Sequence, residues 1–126
     1  MKIYYAHAIC LYGTKHERDE KSRIKKRFPK AKIIDPGSYE NNLEKFIGGM
    51  NYCLELVDKC DVLVFTRLLG KITAGVGKEI NYALSKKKKV FELINDNFIK
   101  VSKPVTYLSR LNTILLYEKW RNEKSS

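Results

Sequence analysis

Asp61-Val62-Leu63-Val64-Phe65-Thr66, followed after residues 67–72 by Thr73-Ala74-Gly75-Val76-Gly77-Lys78-Glu79, is the stretch that decides the fold. The first segment is a short, continuous apolar run of the kind buried on both faces of a parallel sheet, so a central strand is expected there. The second reads as a glycine-spaced turn that opens an amphipathic helix, because Val76, Ile80, Ala83 and Leu84 repeat at helical spacing. A strand, a glycine turn and a helix in that order aim backbone N–H groups at an anion. The same reading puts one carboxylate, Glu79, in the first turn of the helix beside those donors.

Outward from this centre, the apolar period switches repeatedly between strand and helix. Residues 3–9 form a β-branched and aromatic run short enough for a buried strand, and Leu11-Tyr12-Gly13-Thr14 follows as a loop. A charged helix is expected over residues 15–28, with Thr14 as N-cap, Glu17 completing a capping box, and Pro29 ending it. Residues 31–35 read as a second strand stopped by Pro36-Gly37. Leu43, Phe46, Ile47, Met50, Leu54 and Val57 then mark one face of a longer helix. Residues 89–93 give a fourth strand, residues 103–107 a fifth, and residues 108–123 a helix whose apolar side chains spread over more than one face. Strands alternating with helices at this pitch predict a single α/β domain over residues 1–126. The expected architecture is three-layered and Rossmann/flavodoxin-like, a parallel sheet of about five strands with helices on both faces. Ligands of such sheets bind beyond the carboxyl ends of the strands, where strand order reverses. That edge gathers Tyr4, Tyr5, His7, Asp35, Arg67 and Glu79, and makes His7, Asp35 and Arg67 substrate-binding candidates.

Composition narrows the function classes. With 126 residues and 44% apolar residues the chain can bury a core unaided, and no apolar run approaches the roughly 20 residues that cross a bilayer. Met1-Lys2 leads straight into Ile3-Tyr4-Tyr5, which is unlike a signal peptide, so a cytoplasmic setting is expected. Cys10, Cys53 and Cys60 form neither an even set nor a metal-binding spacing, which points to free thiols and to no metal. The formal charge of +11 raises the question of nucleic acid. However, the Lys-rich runs at residues 21–27 and 86–89 fall on a solvated helix face and at a helix C-terminus, and no groove-reading motif accompanies them. The same field attracts a small phosphorylated ligand.

The Ile3-Tyr4-Tyr5-Ala6 strand, the Cys60-Asp61-Val62-Leu63-Val64-Phe65 strand and the block Gly75-Val76-Gly77-Lys78-Glu79-Ile80-Asn81-Tyr82-Ala83 together resemble the nucleoside 2-deoxyribosyltransferase superfamily, over residues 1–93. The likeness is greatest to the branch that cleaves 2′-deoxynucleoside 5′-monophosphates. This resemblance implies cleavage of an N-glycosidic bond, or transfer of the deoxyribosyl group, with Glu79 as the nucleophile and no cofactor. It implies that Thr73, with the amides of Gly75, Val76 and Gly77, holds the 5′-phosphate, and that Tyr4 lies near the sugar. It further implies a homodimer or larger homo-oligomer, for which the apolar segment 108–120 suits an interface.

One departure stands out: the position of the family's second carboxylate is occupied by Cys53. Breaking an N-glycosidic bond builds positive charge on the sugar and negative charge on the base, so both a carboxylate and an acid are wanted. Asp35 offers an acid from another direction, although Asp35-Pro36-Gly37 also reads as a plain turn. Each candidate has a structural alternative: Glu79 favours a helix N-terminus electrostatically, Thr73 can be a capping hydroxyl, and the Gly75/Gly77 pair can serve close packing. Tyr4 can be a core residue, His7 a hydrogen-bonded loop residue, and Arg67 a solvated cation. The loss of the carboxylate leaves a second functional reading, a non-catalytic nucleotide sensor that keeps the pocket.

Overall fold

The structure is a computed structural model and describes residues 1–39 and 49–125. Five strands, β1 (Lys2–Ala6), β2 (Lys32–Ile34), β3 (Val62–Phe65), β4 (Lys89–Ile94) and β5 (Asn97–Val101), form one sheet in the order β2-β1-β3-β4-β5. Four helices accompany them among the described residues: α1 (Lys15–Arg27), α2 (Met50–Asp58), α3 (Ala74–Ser85) and α4 (Arg110–Ser125). This is the expected three-layer α/β architecture. Strands β1 to β4 are parallel, with Ile3 opposite Val62 and Val62 opposite Lys89.

Alternation along each strand sorts side chains into two cores, as the period of two requires. Tyr4, Ala6, Leu63 and Phe65 pack with Leu56 and Val57 of α2 and with Val76, Ile80 and Ala83 of α3. Ile3, Tyr5, Val62 and Val64 pack on the opposite face with Ile24 of α1. A smaller cluster of Ala8, Leu11 and Leu68 meets Leu116, Tyr117 and Trp120, so α4 closes over the carboxyl end of the sheet. All four residues of β3 are buried, as expected of the central strand. No helix among the described residues is long and apolar enough to cross a membrane.

Several boundaries differ from expectation, each for a physical reason. β1 stops at Ala6, and residues Ile9–Leu11 turn into a 3₁₀ helix that leaves Ile9 60% exposed. The fifth strand is not 103–107. A parallel crossover needs about a dozen residues, whereas Asn95 adopts φ +55° and lets β4 fold straight back into antiparallel β5. Residues 103–107 instead run as extended chain beside α3, where the Asn81 side-chain amide satisfies both backbone groups of Val105 at 2.8 and 3.0 Å. Helix α1 begins as read: Thr14 Oγ1 accepts from the Glu17 amide at 3.3 Å. The Glu17 carboxylate reaches back to the amide of Gly13 rather than that of Thr14. Of the longer helix expected before β3, Leu43, Phe46 and Ile47 lie outside the described residues.

The glycine-spaced stretch is not a turn. Thr73 is the N-cap residue, with φ −73° and ψ 162°, and Gly75, Val76 and Gly77 already belong to α3. Gly77 is there because the Tyr107 side chain crosses directly over it: an added Cβ would lie 2.2 Å from the ring and 2.4 Å from the Tyr107 Cβ. Rotating the ring relieves only the first of these clashes. Gly77→Ala is therefore expected to destabilise the fold by about 1–3 kcal/mol through overpacking, read as a lower urea midpoint, whereas Gly75→Ala, whose nearest neighbour is the flexible Met50 Cε at 3.4 Å, should cost less.

Candidate functional site

A cavity of about 470 Å³ opens at the carboxyl edge of the sheet, with His7 from the end of β1 and the N-terminus of α3 in its wall. β1 and β3 are neighbours whose connections run to opposite sides of the sheet, which is the switch point where such folds bind ligands. α2 and the first turns of α4 supply the other walls. Its volume lies in the range of small-molecule sites, and its lining is mostly apolar with a few polar groups.

Glu79 borders this cavity and is only 5% exposed. It is the sixth residue of α3, one turn deeper than expected, and the first turn of α3 carries no acidic residue. Burying a carboxylate is costly unless it is hydrogen-bonded. The Tyr4 hydroxyl, itself fully buried, donates to it. Burial first, then the neighbouring Glu79 charge and Cys53, hold the Tyr4 phenol well above the usual tyrosine range, so it remains a proton-bearing donor.

The expected phosphate cradle is only partly available. Thr73, Gly75 and Val76 border the cavity, and Gly77 is not among its lining residues. The Gly77 amide donates to the Thr73 carbonyl at 2.9 Å as an ordinary helical bond. The Ala74 amide is taken by Thr113 Oγ1 at 3.0 Å, which fastens α4 to the start of α3. Thr73 makes no capping bond with its side chain.

His7 lines the cavity, yet both of its ring nitrogens are engaged inside the protein. Nδ1 lies 3.1 Å from the Tyr5 carbonyl, which can only accept, so Nδ1 carries a hydrogen. Nε2 lies 2.6 Å from Glu17 and 3.6 Å from Asp35. The ring stacks on Tyr5 at 3.8 Å. Asp35 does not border the cavity: it sits behind His7, paired with Lys21 at 2.5 Å and accepting from the Gly37 amide at 2.8 Å. Donor atoms of His7, Glu17 and Asp35 all lie within 4.8 Å of one another, a grouping of ligand-type side chains that no sequence spacing announced.

Arg67 is not brought to this site either. Its guanidinium forms a forked pair with Glu92 at 2.7 and 3.3 Å, at the next strand of the sheet. Cys53, although it lies on the apolar face of α2, borders the cavity together with Glu79. Tyr12, Tyr117, Thr113, Lys78 and Arg110 add to the polar lining and escaped the sequence reading. The signal for Tyr12 was its place just before the Gly13-Thr14 cap; Tyr117 and Arg110 come from α4, whose packing no local pattern specifies. Burial raises both phenols, that of Tyr12 further with the help of Glu79. No protein-family model matches the chain, and no curated protein matches it.

Two outcomes follow from this buried chemistry. Tyr4→Phe removes the donor from Glu79 and should cost about 1–3 kcal/mol in urea unfolding. Tyr4, Tyr5 and Tyr12 all have raised pKa values in the fold. Above the ordinary tyrosine value of about 10 the unfolded chain releases protons that the folded chain retains. Stability should therefore be fully present below that pH and fall as pH rises above it, measured as a urea midpoint that declines between pH 9 and 11.

Proposed function

We propose that this protein cleaves the N-glycosidic bond of a deoxynucleoside or its 5′-monophosphate, or transfers the deoxyribosyl group, with Glu79 as nucleophile. The observation that carries the reading is a buried carboxylate that accepts a hydrogen bond from the Tyr4 phenol, at the wall of a largely apolar cavity of small-molecule size at the sheet's switch point. A carboxylate in such a place can stabilise an oxocarbenium-like sugar and bond to its anomeric carbon. Tyr12 and Tyr117 offer aromatic surface to a base. Lys78 and Arg110, both exposed at the cavity, and the start of α3 suit a phosphate, and the chain's excess of cations draws anions toward it.

The resemblance read in the sequence supports the same chemistry, which calls for no cofactor. A homodimer in the cytoplasm is the setting we propose with it: Leu111, Ile114 and Leu115 leave an apolar face of α4 exposed beside the cavity. A nucleotide sensor without turnover is the second reading, favoured by the thiol that stands where a second carboxylate would be.

Glu79→Gln is expected to abolish release of free base from a panel of deoxynucleosides and their monophosphates, a loss of at least about 10³-fold, with ligand affinity retained. Chromatography of the released base measures it. Tight binding by the wild type with no base released establishes the sensor and removes the enzyme.

A further inference from the structure

Behind the cavity wall, side chains of the types that hold metal ions through nitrogen and oxygen gather at one point. His7 follows β1, Glu17 lies in the first turn of α1 and Asp35 follows β2, and all three are buried. One donor atom of each lies within 4.8 Å of the other two. Hydrogen bonding accounts for only part of this arrangement. His7 Nε2 can carry one hydrogen, and Glu17 Oε2 at 2.6 Å takes that direction. Asp35 Oδ1 stands 3.6 Å from the same nitrogen, beyond hydrogen-bond reach yet turned into the same cluster. A hydrogen joins two atoms, whereas a cation holds several at once.

The outer atoms of these groups are each fastened by a different partner, which is how the ligands of a metal site are aimed. The Nδ1–H of His7 is held by the Tyr5 carbonyl at 3.1 Å, which leaves Nε2 as the nitrogen for a ligand bond. Glu17 Oε1 accepts from the Gly13 amide at 3.1 Å, and Asp35 Oδ2 pairs with Lys21 at 2.5 Å. Asp35 Oδ1 accepts from the Gly37 amide at 2.8 Å and keeps a second lone pair. Gly37 also leaves room between the carboxylates, since a Cβ there would sit 3.1 Å from both Asp35 Oδ1 and Glu17 Oε2.

We propose that His7 Nε2, Glu17 Oε2 and Asp35 Oδ1 form a binding site for a divalent transition-metal ion, Zn²⁺ by preference. An imidazole with two carboxylates suits Zn²⁺, whereas Mg²⁺ and Ca²⁺ take larger shells made of oxygen. In a tetrahedral site with bonds of about 2.0–2.1 Å the ligand atoms stand roughly 3.3 Å apart. The contacts at 2.6 and 3.6 Å bracket that spacing, so the ion enters as Glu17 Oε2 draws back by roughly 0.7 Å. Three protein ligands leave a fourth position. The ion and Lys21 together outweigh the two carboxylates, so an anion is the fitting fourth ligand. The ion ties the end of β1, the start of α1 and the segment after β2 to one another, and its binding therefore adds to folding stability. None of this depends on the N-glycosidic reading.

Titration calorimetry of the EDTA-treated protein with Zn²⁺ tests the site. The wild type is expected to take up one ion per chain and to unfold at a higher urea concentration with Zn²⁺ than without it. Glu17→Gln and Asp35→Asn, which keep the shape of each side chain, should each weaken the affinity by at least about 100-fold, with circular dichroism reporting that the variants are folded. Co²⁺ added to the wild type gives a readout that needs no variant. Nitrogen and oxygen ligands predict visible d–d bands that Zn²⁺ abolishes, without a thiolate charge-transfer band. A thiolate band would place the ion on Cys10, Cys53 or Cys60 and overturn the assignment. So would an absence of Zn²⁺ uptake by the wild type, or an affinity unchanged in both folded variants.

Discussion

The hydrogen bond from Tyr4 to Glu79 is the contact on which the candidate site depends. A carboxylate 5% exposed, beside the core residues Val76 and Ile80 of its own helix, pays a desolvation cost that a directed donor helps to offset. Tyr4 can provide one because β1 lies beside β3 in the middle of the sheet and the strand's alternation turns Tyr4 toward α3. The parallel register that sets Tyr4 level with Leu63 therefore also sets the depth of the cavity wall. Moving β1 by one residue would turn Tyr4 toward α1 and take this donor away from Glu79.

Charged groups elsewhere at the carboxyl edge are paired or hydrogen-bonded locally and kept out of the cavity. Glu17 and Asp35 are matched by His7 and Lys21, Glu20 accepts from the Tyr5 hydroxyl and from Thr66, and Glu92 is matched by Arg67. These pairs knit the segment after β1 to α1 and to the end of β2, so that Tyr12 is held against His7 at 4.9 Å. Their consequence for function is indirect: they leave Glu79 as the carboxylate that borders the cavity among the described residues. A small number of placed polar groups in an apolar hollow is what makes electrostatic interactions there strong.

The α4 helix completes the enclosure from a distance in sequence. Thr113 caps the Ala74 amide and Tyr117 packs with Ala8 and Leu11, so the C-terminal helix is fastened to the two segments that flank the opening. Its remaining apolar side chains, Leu111, Ile114 and Leu115, face outward.

Much of this architecture was legible from local pattern. The unbroken apolar run of β3, the Thr14 cap with Glu17 and the spacing of Val76, Ile80 and Ala83 each determine their element through nearest-neighbour sterics and burial, so class, order and the switch-point location follow from the chain itself. Glu79 could be singled out from that pattern, whereas Thr73 was pointed to by the resemblance alone. What only the tertiary structure decided depends on partners distant in sequence. The Tyr107 ring gives Gly77 a packing role, Glu92 draws Arg67 away, and Glu17 occupies His7. Helix α2 turns Cys53 to the cavity, and α4 brings Arg110 and Tyr117 beside it. Periodicity encodes which face of an element is buried; it carries no information about which distant side chain will meet that face, because that is set by how whole elements pack.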